Sequence, residues 1–187
     1  MSHKIYQLKV TLMHSNPPIW RTILVYSDTN LNDLHRILQT TMGWTNSHLH
    51  EFNDGKHGYS PAEFQVEDNR LSDKVKLSKL VKKENDRLTY LYDFGDSWSH
   101  MIVLEKILDS TQKEHIPTCL DGKRRCPPED CGGMHGYEEL QQIIKDPNHE
   151  ERAEMIVWLG GIFDPEYFNK IRINRLLKSK DFGCIWL

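Results

Sequence analysis

Residues 88–105, LTYLYDFGDSWSHMIVLE, constrain the fold more tightly than any other stretch of the chain. Two runs rich in aromatic and β-branched residues flank Gly95-Asp96, the composition of paired strands around a tight turn. Glycine in the first of two loop positions suits a type II′ turn, which needs a positive φ there. That turn would pair Phe94 with Ser97, Asp93 with Trp98, Tyr92 with Ser99 and Leu91 with His100. Side chains alternate across a strand. One face would then carry Thr89, Leu91, Asp93, Trp98, His100 and Ile102, and the other Leu88, Tyr90, Tyr92, Phe94, Met101 and Val103. The second set is core. The first mixes an acid and an imidazole with apolar residues, which a plain core face avoids.

Ahead of this hairpin, residues 5–12 alternate Ile5, Gln7 and Lys9 against Tyr6, Leu8, Val10 and Leu12, the pattern of a half-buried strand. Asn16-Pro17-Pro18 marks a turn, and residues 19–26 (IWRTILVY) supply a second strand. Asn30 reads as a helix N-cap with Asp33 as a capping-box-like acid. Leu31, Leu34, Leu38 and Met42 recur at helical spacing until Gly43. Residues 48–52 (HLHEF) predict a short strand with His48, His50 and Phe52 on one face. Strand, strand, helix, strand is the opening of a β-grasp-like sheet. Residues 53–87 are polar and predict mostly surface loop, with a short strand or helical turn around Val75, Leu77, Leu80 and Val81. Residues 109–136 form an irregular segment rich in Cys, Pro and Gly. Three helices are expected after it: residues 137–145, residues 150–159, and a third opening with Asp164 as cap and Pro165 at its first position. Residues 182–187 would add a last strand or cover the core. The fold class is therefore α+β: a β-grasp-like mixed sheet with a central hairpin, and C-terminal helices packed on one side. All 187 residues are expected to form a single domain.

A net charge of −3 gives no global attraction to nucleic acid or acidic membranes. No apolar run approaches the roughly 20 residues that span a bilayer. The N-terminus, MSHKIYQLKV, lacks the apolar middle of a signal peptide, so a cytoplasmic location is the expectation. Neither duplex nucleic acid nor a membrane is an expected partner; an unknown protein is.

Within PTCLDGKRRCPPEDCGGMHGY, Cys119, Cys126 and Cys131 crowd a segment with little apolar content of its own. Zinc could hold such a loop through thiolates. His135 stands nearest as a fourth ligand, with His115 in the mirror position and His100 of the hairpin as another choice. The spacing lacks paired C-x2-C, and free thiols or a disulfide are alternatives, the latter disfavoured in a cytoplasmic chain. Cys184 sits in an apolar run and reads as core. Asp93, Asp96 and His100, with Glu129 and Asp130, would form a second, catalytic cluster suited to a metal-activated water. His48 or His50 could point at the same place. The same residues also have a structural reading, which the sequence favours. Asp93 and Asp96 are turn residues, His100 is a core histidine, and Glu129-Asp130 caps a helical turn.

In order, YQLKVTL, PPIWRTILV, TNLNDLHRILQTTMGW, HLHEF, YLYDFGDSWSHMIVLE, CPPEDCGGMHGY and WLGGIFDPEYF resemble the plasmid-pRiA open-reading-frame-three-like family. The matching positions include Asp93, Gly95, Asp96, Trp98, His100, Cys126, Pro127, Pro128, Glu129, Asp130, Gly132, Gly133 and Tyr137, whereas His135 falls outside the pattern. The resemblance implies the fold and an association with plasmids and transposons, with no secure activity. Two functions follow as expectations. One is a non-enzymatic accessory or binding protein of mobile elements. The other is a metal-dependent hydrolase of phosphoesters.

Overall fold

The structure is a computed structural model and describes residues 4–109 and 115–185. Strands β1 (Lys4–Leu12) and β2 (Trp20–Tyr26) pair antiparallel, with Thr11 opposite Trp20. Helix α1 (Leu31–Met42) follows, and both its ends are as its sequence predicts. The Asn30 side chain accepts the Asp33 N–H at 2.8 Å, and Gly43 closes the helix at φ 99°, a left-handed angle that glycine adopts without cost. Leu31, Leu34, Ile37 and Leu38 are all 1% exposed or less. They form one stripe that packs on Leu8, Val10, Ile23, Phe52 and Leu104.

Next come β3 (His50–Asn53), β4 (Gly58–Ser60), β5 (Arg70–Leu71), the single turn α2 (Leu77–Leu80), β6 (Arg87–Tyr92) and β7 (Trp98–Asp109). Strand β8 (Thr118–Lys123) and helices α3 (Gly133–Lys145), α4 (Arg152–Trp158) and α5 (Lys170–Leu176) complete the chain. The strands form one mixed sheet in the order β5-β4-β3-β6-β7-β1-β2-β8. Its pairs are antiparallel except β4 with β5. The α+β expectation holds, and the β6–β7 hairpin lies mid-sheet.

The hairpin register differs from the one expected. Tyr92 pairs with Trp98, Leu91 with Ser99 and Tyr90 with His100, so the connection runs from Asp93 to Ser97. Asp93 and Ser97 take the positive φ values (58° and 57°), while Gly95 does not. The cause is the Asp93 side chain: its Oδ1 accepts the N–H of Gly95 at 2.9 Å and of Asp96 at 3.3 Å, folding the loop around itself. A one-residue slip exchanges the two faces of a strand. Leu88, Tyr90, Tyr92, Trp98, His100 and Ile102 consequently share the core face, each 1% exposed or less. Leu91, Met101 and Val103 are half-buried.

Two further departures lie near the C-terminus. Within residues 109–136, expected to be irregular, β8 adds an edge strand beside β2, and α3 begins four residues before Tyr137. Residues 110–114 of that segment lie outside the described residues. Helix α5 starts at Lys170 rather than at Pro165. Asn169 caps it by accepting the Arg172 N–H at 2.9 Å, while Asp164 accepts from Glu166 and closes a separate turn. Lys180–Gly183 is a 3-10 turn where a strand was an alternative; residues 186–187 of that stretch are not among those described.

Arg21 joins β2, β8, α1 and the loop after β8. Only 2% exposed, it donates through Nε to Thr41 O and through Nη1 to Trp20 O and Lys123 O, each at 2.8 Å. Nη2 donates to Arg124 O at 2.7 Å and to Cys126 Sγ at 3.7 Å. Its guanidinium carbon also lies 4.9 Å from the centre of the Phe168 ring.

Candidate functional site

Three sequence blocks meet at the C-terminal end of β6. The Asp93 N–H donates to Leu49 O at 2.8 Å, fixing the 93–97 loop beside the segment that leads into β3. The Ser47 N–H donates to the Tyr92 hydroxyl at 3.0 Å. From the opposite side, the Trp44 indole donates to Pro127 O at 3.0 Å and stacks on Tyr92 with ring centres 5.0 Å apart. Glu129 accepts from the Thr45 amide at 3.1 Å, from the Thr45 hydroxyl and from the Tyr92 hydroxyl. A methyl group on Gly133 would stand 2.7 Å from Asp96 O, so this position admits only glycine without displacing backbone.

This packing delivers Asp130 to His48 and Asp93. His48 Nε2 lies 3.4 Å from Asp130 Oδ1 and 3.7 Å from Asp93 Oδ2. One ligand atom from each residue falls within 4.8 Å of the others, the only such group of three metal-ligating side chains among the described residues. Asp93 is 8% exposed in its side chain and Asp130 72%, so the group is rooted in the protein and opens to solvent.

Of the five carboxylate and histidine residues expected to cluster, only Asp93 and Asp130 enter this group. Asp96 is held by the loop, its Oδ2 buried and without a hydrogen-bond partner. Glu129 is engaged by Thr45 and Tyr92. His100 is fully buried, with Nδ1 3.2 Å from Tyr90 O, and burial pulls its pKa down to about 4. The expected zinc set does not converge. Cys119 is buried on β8, where its backbone pairs with the Asn174 amide; Cys126 faces Arg21; Cys131 is half-buried before α3; His135 is exposed on α3. Burial pushes the Cys119 thiol up to about 11 and the Cys131 thiol up to about 12, so both are neutral at physiological pH.

Beneath the junction lies a buried pair: His50, a candidate for the catalytic cluster, turns instead toward His35, to which sequence reasoning assigned no role. His35 and His50 stack with ring centres 3.5 Å apart and 7° between planes. His35 is held by the Tyr90 hydroxyl at 2.9 Å and Asn46 Oδ1 at 2.6 Å, whereas neither ring nitrogen of His50 has a partner. Burial holds His35 at about 4 and His50 at about 2.

A second feature was not anticipated. Between the Cys126–Glu129 segment, the end of α1 and helices α4 and α5 runs a cleft of about 800 Å³. Trp158, Ile162, Tyr167, Leu176 and Ile185 line it yet remain exposed, Ile162 at 93%. Val157 on α4 and Ile171 on α5 add exposure of 79% and 76%. Arg125, stacked 4.5 Å from the Phe163 ring centre, and Arg172 also line it, and among the described residues neither is ion-paired. The sequence signal was WLGGIF, apolar on all sides and interrupted by two glycines. His48, Asp93 and Asp130 do not line this cleft. The arrangement can hold a cation.

A family model described as plasmid pRiA4b ORF-3-like protein matches residues 4–172. The chain is 36% identical to the uncharacterised protein y4hQ of Sinorhizobium fredii, over all of this chain and 96% of that one. A crystal structure of a protein of unknown function from Methanosarcina mazei is 37% identical. It superposes with a TM-score of 0.82, covering 91% of this chain and 97% of its own.

Proposed function

Since the chain belongs to the plasmid pRiA4b ORF-3-like protein family, we propose that it is a non-enzymatic accessory of a mobile element that takes a protein partner in the cleft beside α4 and α5. The observation carrying this reading is the contiguous exposed apolar lining, from Trp158 through Ile162 to Ile185. Water-facing surface of this kind is ordinarily covered in use. The occupant is an apolar protein segment carrying carboxylates. Arg125 and Arg172 line the cleft with no acid paired to either among the described residues, while Arg21 is engaged by backbone carbonyls, Glu129 by Thr45 and Tyr92, and Asp164 by the Glu166 amide. Duplex DNA fits less well, because tight binding needs several phosphate contacts and the net charge is −3.

Selection from a displayed random-peptide library tests this. Recovered peptides should combine large apolar residues with Asp or Glu. Trp158→Ala should weaken a selected peptide by about tenfold or more, as truncation of an aromatic anchor does. Arg172→Ala should select against the acidic positions. Recovery of the same peptides by Trp158→Ala and wild type would overturn the assignment. So would a concentration-dependent dimer abolished by Ile162→Ser, since a second copy would then be the occupant. Duplex binding that falls steeply with salt would overturn it too.

A further inference from the structure

We propose that His48, Asp93 and Asp130 bind a divalent transition-metal cation of the zinc class. The site is separate from the cleft and stands or falls without it.

His48 Nε2 is shielded from solvent and has no hydrogen-bond partner, although it faces carboxylate oxygens at 3.4 and 3.7 Å. Those distances exceed the roughly 2.7–2.9 Å of a charge-assisted hydrogen bond. They match a coordination edge instead. Around a tetrahedral ion with bonds of about 2.0–2.1 Å, neighbouring ligand atoms stand roughly 3.3 Å apart.

Asp93 supplies an independent observation. Its side chain is 92% buried, and Oδ1 is occupied by two loop amides, which leaves Oδ2 aimed at His48 with no donor. The free oxygen of a largely buried carboxylate, facing an imidazole nitrogen and a second carboxylate, is electrostatically incomplete without a cation between them. The three ligands come from three separate segments, ahead of β3, after β6 and ahead of α3. A bound ion would therefore cross-link the loops that the Trp44, Tyr92 and Glu129 contacts already bring together.

One imidazole with two carboxylates favours zinc, cobalt or manganese over magnesium or calcium, which take oxygen ligands almost exclusively. With Asp130 72% exposed, the remaining coordination positions face solvent and would be filled by water or an exchangeable anion.

Cobalt(II) is the probe, because its visible spectrum separates nitrogen–oxygen ligation from thiolate ligation. Metal-free protein, with its purification tag removed, should bind one equivalent of cobalt without a sulfur-to-metal charge-transfer band. Zinc should displace it. Asp130→Asn changes an exposed side chain and leaves the fold intact; it should weaken binding at least about tenfold, as should His48→Ala. A thiolate charge-transfer band that survives His48→Ala would place the metal on the cysteines and overturn the assignment. Absence of stoichiometric binding would overturn it equally, as would affinity indifferent to both substitutions. Asp93 is left unchanged because it also organises its loop.

Discussion

Between pH 7 and pH 5 the protein is expected to lose about 6 kcal/mol of stability, roughly 2 from each of three buried histidines. His35 is held at about 4, His50 at about 2 and His100 at about 4, all chiefly by burial. Each folded-state value lies below the roughly 6.5 of an unfolded histidine. Below pH 6.5 the unfolded chain therefore binds protons that the native state refuses. The stabilisation is complete above that pH and is lost as pH falls toward the folded values. Stacking of His35 on His50 sharpens the effect, since charging both rings at 3.5 Å adds repulsion to desolvation. A loss of this size approaches the whole stability of an ordinary domain. Urea midpoints measured at pH 7.5, 6 and 5 check it, and a flat series would mean that the native rings protonate freely. His50→Leu supplies the control. Neither ring nitrogen has a partner to lose, so midpoints near pH 7 should hold or rise. The fall toward pH 5 should shrink by about a third.

Replacing Arg21 by Met should cost on the order of 4 kcal/mol and lower the melting temperature by about 10 °C. The thioether fills much of the space but donates nothing. Thr41 O, Lys123 O and Arg124 O would each lose a charge-assisted bond, the first of them buried and the other two partly so. Lys should rescue little, because an ammonium cannot span carbonyls set in two directions by a planar fork. Since Arg21 also faces Cys126 and Phe168, the cleft wall should loosen with it, raising thiol reactivity at Cys126 in step with the lost stability. An unchanged melting temperature, with Cys126 still protected, would show that the carbonyls find other donors.

Local patterns in the chain were sufficient for much of the architecture. The alternation of Tyr6, Leu8, Val10 and Leu12, and the Asn30 cap with its Leu31–Leu34–Leu38 stripe and Gly43 stop, are short-range signals. Their partners lie within a turn or a strand, so sequence spacing alone determines them. The C-terminal helix start was read wrongly for a related reason. Asp164-Pro165 and Asn169 are both good caps by local chemistry, and packing of α5 against β8 decided between them.

The candidate sites divide in the same way. Asp93 and Asp130 stood out in the sequence as carboxylates in distinctive blocks, and they do meet. Three features that decided which residues meet left no local trace. The first is the self-folded Asp93 loop, which shifted the hairpin by one residue and sent Trp98 and His100 into the core. The second is Glu129, which the Thr45 and Tyr92 contacts hold across the molecule. The third is the separation of Cys119, Cys126 and Cys131, neighbours along the chain that β8, Arg21 and α3 draw apart. Spacing of ligating residues along a chain constrains a site only when one rigid element carries them. These residues sit on separate loops and strands, so long-range packing, rather than the order of residues, determined which of them came together.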